Sequence, residues 1–321
     1  MRRRALMAGA GAALVWPALR AQGAWPTKPI VLIVPFAPGG IADLTARVVA
    51  EAMGRSLGQA FVVDNRPGAG SIVASTAVAK AAPDGHTLLL MSNANAVSTG
   101  LFKKLPYDPV RDFAPVTTLG FFDLAIFAGP DGRFATLKDA LAFARTHPGK
   151  LSIATITVGS TQHLTAELFK ARAGIDALVV PYKGTPAVVT ALRSGEVDLA
   201  VEILGPMLPQ VGAKAVRALA ITADRRFAAL PEVPTLAEAG VADCTVASWN
   251  GLAAPAGTPP AVIERLNRAA REAVSLPAVH RRLEDLGVRA QAGTPQQLQA
   301  LLSGEIQRWG AVIRTAKIEP E

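Results

Sequence analysis

The chain has 321 residues, half of them hydrophobic and 5% aromatic, with 33 Lys or Arg against 25 Asp or Glu and a formal net charge of +8. That is enough chain for one large domain or two ordinary ones around an Ala/Val/Leu core. Beyond the N-terminus, Pro, Gly or charge interrupts each apolar run before ~18 residues, which excludes a membrane span there, and no basic block interleaved with aromatics supports nucleic-acid binding.

The first 23 residues read as an export signal. Arg2, Arg3 and Arg4 precede the apolar run 5–19, and small residues follow at 21–24. Either a twin-arginine (Tat) or a Sec signal fits, with cleavage after Ala21 or Gly23, so a periplasmic location is expected. Removing the segment takes away four arginines (2, 3, 4 and 20) and lowers the formal charge from +8 to +4. A mild positive excess of this kind helps gather anionic ligands. Cys244 is the single cysteine; it excludes an internal disulfide and reads as a buried small hydrophobe.

Strand and helix signals then alternate. A continuous apolar strand over 30–36 meets the turn Pro38-Gly39-Gly40 and an amphipathic helix over 41–57. A strand follows over 60–65, then a turn over 65–70 and a helix capped by Ser71 and running to 81. Pro83-Asp84-Gly85 turns into a strand over 86–91. The apolar stretch 115–127 is long enough to cross between domains. A second series comprises helix 137–146, strand 151–156, helix 162–173, strand 177–180, helix 186–194 and strands 197–203 and 215–222. A return crossing over 244–254 and two helices, 260–275 and 295–315, complete the chain. This order predicts an α/β fold of two lobes, each a mostly parallel sheet flanked by helices, with a cleft between them. Ligands of such sheets bind outside the carboxyl ends of the strands.

Four strand ends carry similar polar chemistry: 37–40, Ser92-Asn93-Ala94-Asn95, Gly159-Ser160-Thr161-Gln162 and Tyr182-Lys183-Gly184-Thr185-Pro186. They offer hydroxyls, amides and the free N–H groups of helix starts, where the helix dipole favours an anion. No Walker lysine or complete GxGxxG accompanies the first, so its expected occupant is smaller than a nucleotide, such as a carboxylate. Each element also has an ordinary explanation. Ser160 and Thr161 suit helix caps, Ser92-Asn93 an ordinary turn, and Tyr182 packing on the sheet. Asp43 suits a pairing with Arg47 one turn later. None of the four places a base beside a nucleophile, and Thr157-Val158-Gly159-Ser160-Thr161 is not the G-x-S-x-G elbow of an exported hydrolase. His86, His147, His163 and His280 lack metal-ligand spacing. No catalytic residue, metal or cofactor is expected.

Trp25-Pro26, the run 35–40 with Asp43 and Ala46-Arg47, and the run 63–70 resemble the Bug-type periplasmic solute-binding receptors of tripartite tricarboxylate transporters. Pro83-Asp84-Gly85, the runs 159–164 and 181–184, Ala218-Leu219-Ala220, the run 230–235 and Ala253-Pro255-Gly257-Thr258-Pro259 extend the resemblance over the mature chain. It implies a type II-like, two-lobed binding protein that closes on a di-, tri- or aromatic carboxylate. In the family the Pro-Gly-Gly loop holds one carboxylate through backbone N–H groups, and the loop matching 159–161 contributes from the other lobe. The expected lobes are 24–122, 123–246 and a return over 247–321, whose C-terminal helices also reach the second lobe. The expected ligand-binding set is Phe36, Pro38, Gly39, Gly40, Ile41, Ala42, Ser92, Asn93, Gly159, Ser160, Thr161, His163, Tyr182, Gly184, Thr185 and Glu202. Ala42 stands where many relatives have Thr or Ser, Thr157 where Gly is frequent, and Glu202 where Asp is frequent. The expected partners are the membrane permease components, with a sensor kinase as the alternative, and the expected state is a monomer.

Overall fold

In the computed structural model, which describes residues 25–320, one strand organises the molecule. β1 (Ile30–Val34), β2 (Phe61–Asn65) and β3 (Thr87–Ser92) are parallel and form the first sheet half with β9 (Ala247–Pro255). β5 (Leu151–Ile156), β6 (Ala177–Tyr182) and β7 (Leu199–Ile203) are parallel and form the second. Between them runs β4 (Phe113–Ala128), 16 residues long. Its first part pairs with β9 and the short β10 (Arg289–Ala290), its last residues with β7 and β8 (Arg217–Ile221), all antiparallel. The strand order is β2-β1-β3-β9-β4-β7-β5-β6. The apolar stretches read as crossings are thus strands inside the sheet, and the parallel sets flank an antiparallel centre.

Side-chain alternation divides the core. Ile33, Leu89 and Met91 of the first half and Ile126, Ile153 and Val201 of the second share one continuous core. It is covered by α2 (Ile72–Ala79), α3 (Asn93–Leu101), α4 (Leu137–Thr146), α5 (Thr161–Ala173) and α10 (Pro295–Thr315). The opposite face holds two separate cores. Ile30, Leu32, Val34, Leu88, Leu90 and Leu252 pack under α1 (Ile41–Leu57), α8 (Pro260–Ser275) and α9 (Pro277–Asp285). Ala125, Phe127, Ala154 and Ala200 pack under α6 (Thr185–Ser194) and α7 (Leu204–Gly212). One face joins the lobes and the other leaves a cleft between two cores.

Several expectations are corrected. Ser92-Asn93 opens α3 rather than a turn: the Ser92 hydroxyl accepts from the Ala94 N–H at 3.3 Å, and Asn95 Oδ1 accepts from the Ser92 N–H at 2.9 Å. Ser71 does not cap its helix; it has φ +63°, its side chain makes no cap bond, and α2 stops at Ala79 instead of 81. Three helices rather than two follow residue 255, because α9 begins directly after α8 at Pro277. Cys244 is buried, as its apolar neighbours imply, and burial pushes its thiol up to about 12. No described helix is long and apolar enough to cross a membrane. The expected export signal, 1–23, lies outside the described residues.

Candidate functional site

A cavity of about 710 Å³ lies between the two separate cores. Its floor follows from strand alternation. Leu88 and Leu90 of β3 face the first of these cores, so the next residue on that face is Ser92. Leu252 and Ala254 of β9 do the same, which brings Asn250 and Ser248 to the cavity. On β7 the face of Ala200 continues to Glu202. Each strand is apolar where helices cover it and polar where it emerges into the cleft.

Helix starts form the walls. α1, α3, α5, α6 and α7 all begin at the cavity, through Gly39–Ala42, Ser92 and Ala94, Gly159–Gln162, Thr185–Pro186, and Ile203 with Gly205 and Pro206. The first turn of a helix has N–H groups without intrahelical acceptors. At α1, Gly40 is extended (φ −76°, ψ 165°) and has no side chain to cap them. Phe36, Ile41, Leu44, Phe122, Ile156, Pro209 and Leu286 supply apolar surface. Among the described residues the only charged ones in the lining are Glu202 and the exposed Asp285, with no Lys, Arg or His.

The turn before α1 is held by a buried acid. Asp43 Oδ2 accepts from the Gly39 N–H at 2.8 Å, Arg47 Nε donates to both carboxylate oxygens at 3.0 Å, and Asn65 Nδ2 donates to Oδ1 at 2.9 Å. Burial alone raises such a carboxyl, but the bonds from Arg47, Gly39 and Asn65 outweigh it and hold Asp43 below the usual carboxylate range. Gly39 carries the left-handed backbone, φ +84°. Gly40 does not, and a Cβ there meets only the Ala37 carbonyl at 3.8 Å, so the fold's demand for glycine falls on Gly39.

On the opposite wall the Ser160 hydroxyl caps α5, accepting from the His163 N–H at 3.1 Å. His163 is buried, accepts from the Gly159 N–H at 3.4 Å through Nδ1, and has its pKa lowered by burial. It braces the loop and does not line the cavity. Thr161 accepts from Asn93 Nδ2 at 3.0 Å, and Asn93 Oδ1 accepts from Trp309 Nε1 at 2.8 Å. Asn93 therefore ties α3 to α5 and α10 from behind the cavity wall.

Of the expected binding set, Phe36, Gly39, Gly40, Ile41, Ala42, Ser92, Gly159, Ser160, Thr161, Thr185 and Glu202 come together around the cavity. Pro38, Asn93, His163, Tyr182 and Gly184 are not in its lining. Tyr182 turns away and donates to Glu196 at 2.8 Å; burial and that carboxylate push its hydroxyl up to about 12. Gly184 (φ +149°) is the turn before α6, and Pro38 serves the turn before Gly39. Leu44, Phe122, Ile156, Pro209, Ser248, Asn250, Asp285 and Leu286, and the α7 start, also line the cavity without having been singled out as site residues. Alternation along β9, where Ser248 and Asn250 flank the buried Trp249, carries the signal for two of them.

Glu202 is 1% exposed. Its Oε2 accepts from Gln162 Nε2 and from the Ile203 N–H, both at 3.2 Å. Burial raises its pKa, against the opposing influence of Gln162, Thr185 and the Ile203 N–H.

Residues 45–318 match the family model of the tripartite tricarboxylate transporter family receptor, TctC. The chain is 37% identical to Protein BugT of Bordetella pertussis over 292 residues, covering 90% of each chain. Among solved structures it resembles R. palustris Rpa4515 with adipate at TM-score 0.83 and 34% identity, covering 92% of this chain and 100% of that one. MatC (Rpa3494) from Rhodopseudomonas palustris with bound malate is similar at TM-score 0.79 and 34% identity, over 90% of this chain and 100% of that one. The chain belongs to the tripartite tricarboxylate transporter receptor family, and its fold is that of the two-lobed periplasmic binding proteins.

Proposed function

We propose that this chain, as a member of the tripartite tricarboxylate transporter receptor family, is a periplasmic receptor. It binds a small carboxylate between its lobes and delivers it to membrane permease components. The observation that carries this reading is the meeting of five helix starts at one cavity that no Lys, Arg or His among the described residues lines. Such a site takes an anion through oriented N–H groups and helix dipoles. The adipate and malate held by similar proteins support a carboxylate as the anion.

The lining residues of the expected set other than Ser160, whose hydroxyl is committed to the α5 cap, are proposed as ligand contacts, with Ser160, Pro38, Asn93, His163, Tyr182 and Gly184 supporting them. The proposed lobes are 24–122 and 123–246 with the return 247–321, preceded by an export signal over 1–23, and the proposed state is a monomer. Turnover is not part of the reading. The Ser160 hydroxyl is used as a cap, donates to the Ile156 carbonyl at 3.3 Å, and bonds to no side chain among the described residues that would serve as its base.

Calorimetry with di-, tri- and aromatic carboxylates and their methyl esters tests the binding. An acid should bind and its ester should lose roughly tenfold or more, since charge-assisted bonds become neutral ones. Equal affinity for the esters, or no binding by any acid, overturns the reading. Deleting the chain should abolish uptake of that acid through the permease; unchanged uptake removes the delivery role.

A further inference from the structure

Glu202 departs from the chemistry around it. The helix starts, hydroxyls and amides of the cleft suit an anion, yet Glu202 adds a buried carboxyl to a lining that has no Lys, Arg or His among the described residues. Its Oε2 has two donors, whereas Oε1 is buried with no hydrogen-bond partner among the described residues. The Thr185 hydroxyl lies beside the carboxyl without closing a hydrogen bond to Oε1. A buried acceptor without a donor is costly, and more so when charged.

Asn250 is in the same condition. It is 1% exposed, lines the cavity, and neither Nδ2 nor Oδ1 has a partner among the described residues. Glu202 pairs with Ala125 and Asn250 with Gly120, on either flank of β4, so they occupy separate places on the cavity floor. Neither strand end is therefore satisfied by the other. The lining is ready for a molecule that accepts from helix N–H groups and also donates.

We infer that Glu202 accepts a hydrogen bond from the ligand, and that the preferred ligand is a carboxylate bearing an O–H or N–H donor, a hydroxy- or amino-carboxylate. The inference rests on the carboxylate-receptor reading. A ligand of this kind meets both demands of the cleft: its carboxylate occupies the helix starts, and its donor pairs Oε1. An unsubstituted acid leaves Oε1 without a partner and adds anionic charge near an existing carboxyl.

Calorimetry with succinate, malate and aspartate gives the test, because the three share a four-carbon diacid frame with hydrogen, hydroxyl or ammonium at C2. Glutarate, 2-hydroxyglutarate and glutamate repeat it on a longer frame. In the unmodified protein a substituted acid should bind roughly tenfold or more tightly than its parent, the better of the two substituents identifying the donor. Glu202→Gln presents an amide in place of the carboxyl and should shrink that ratio to within about threefold, chiefly by weakening the substituted acid. Apo melting confirms that the variant folds; if it does not, Glu202→Asp, which keeps the acceptor and shortens its reach, should also reduce the ratio. Parent acids that bind as well as substituted ones overturn the inference while leaving the receptor reading standing. A ratio unchanged by the folded variant does the same. Failure of every acid in both series, together with the wider carboxylate screen, overturns the receptor reading instead.

Discussion

Ser160 and Thr161 are neighbours with different roles. The Ser160 hydroxyl is already committed to the His163 N–H and the Ile156 carbonyl, so it acts as a helix cap. Ser160→Ala should cost about 1 kcal/mol of apo stability, read as a melting point lower by a few degrees, with affinity changed less than about threefold. A large affinity loss at unchanged melting point would make Ser160 a direct ligand contact. Asp43 is the second case. Its pKa lies below the usual 3.8, so ionisation favours the folded state. That contribution is present above the unfolded value and is lost as pH falls through the folded one. Asp43→Asn should therefore cost about 1–3 kcal/mol near neutral pH. The gap to the unmodified protein should close as pH drops below the usual 3.8, which denaturant titrations at several pH values would show. A gap independent of pH would mean that the acid's charge contributes nothing to the turn.

At the scale of elements, the cleft depends on how closely α7 approaches α9. A Cβ on Gly205 would clash with the Leu286 carbonyl, and one on Gly287 with the Gly205 Cα. Gly287 also has φ +73°. Gly205→Ala should therefore hold these helices apart and weaken ligand binding by roughly tenfold or more, while each lobe keeps its own core. Unchanged affinity would show that this contact is not needed in the bound form. Neither helix was legible in the sequence, for different reasons. α7 carries Pro206 and Pro209, which read as breakers, whereas in the structure Pro206 lies in the first turn, where no N–H is required. α9 buries only Val279 and Leu283, too little for a clear apolar stripe, and follows α8 without a loop. α3 is hidden by Asn93, Asn95, Ser98 and Gly100, residues that favour turns in isolation and are held here by tertiary packing. By contrast α4, with the Thr136 capping box, and α8, opened by proline, were readable to the residue. The same division applies to the site. Its helix starts have a local signature in Gly, Ser, Thr and Pro. Alternation along β9 marks Ser248 and Asn250 as one polar face, but that Asn250 lies beside Ser92 follows from the β3–β9 register, which no local pattern specifies.

Across the whole molecule the two faces of the sheet have different mechanical roles. One core passes without interruption from Ile33 and Leu89 to Ile153 and Val201, and α10 packs against both α3 and α5 over it. The opposite cores are separate, so opening the cleft does not require either to be dismantled. β4 and β9 carry the chain between lobes, and their pairing shifts register between Pro115 and Thr117 and between Thr118 and Gly120. Such irregularities interrupt the ladder and let a strand bend. Particular contacts join the two walls of the cleft. Asn93 donates to Thr161, the Thr161 and Ser248 hydroxyls lie 3.5 Å apart, Gly205 meets Gly287, and Gly159 sits so near Leu101 that a Cβ there would clash with it. A ligand touching both walls adds interactions that exist only when they are together, so it shifts the population toward the closed form. Small-angle scattering with a saturating carboxylate should show a smaller radius of gyration than the apo protein. Asn93→Ala removes the link between α3 and α5 behind the wall; it should move the apo protein toward the open radius and weaken binding, without altering the preference among ligands. A radius that ligand leaves unchanged would require a rigid cleft, and the two separate cores facing it would then need a different explanation.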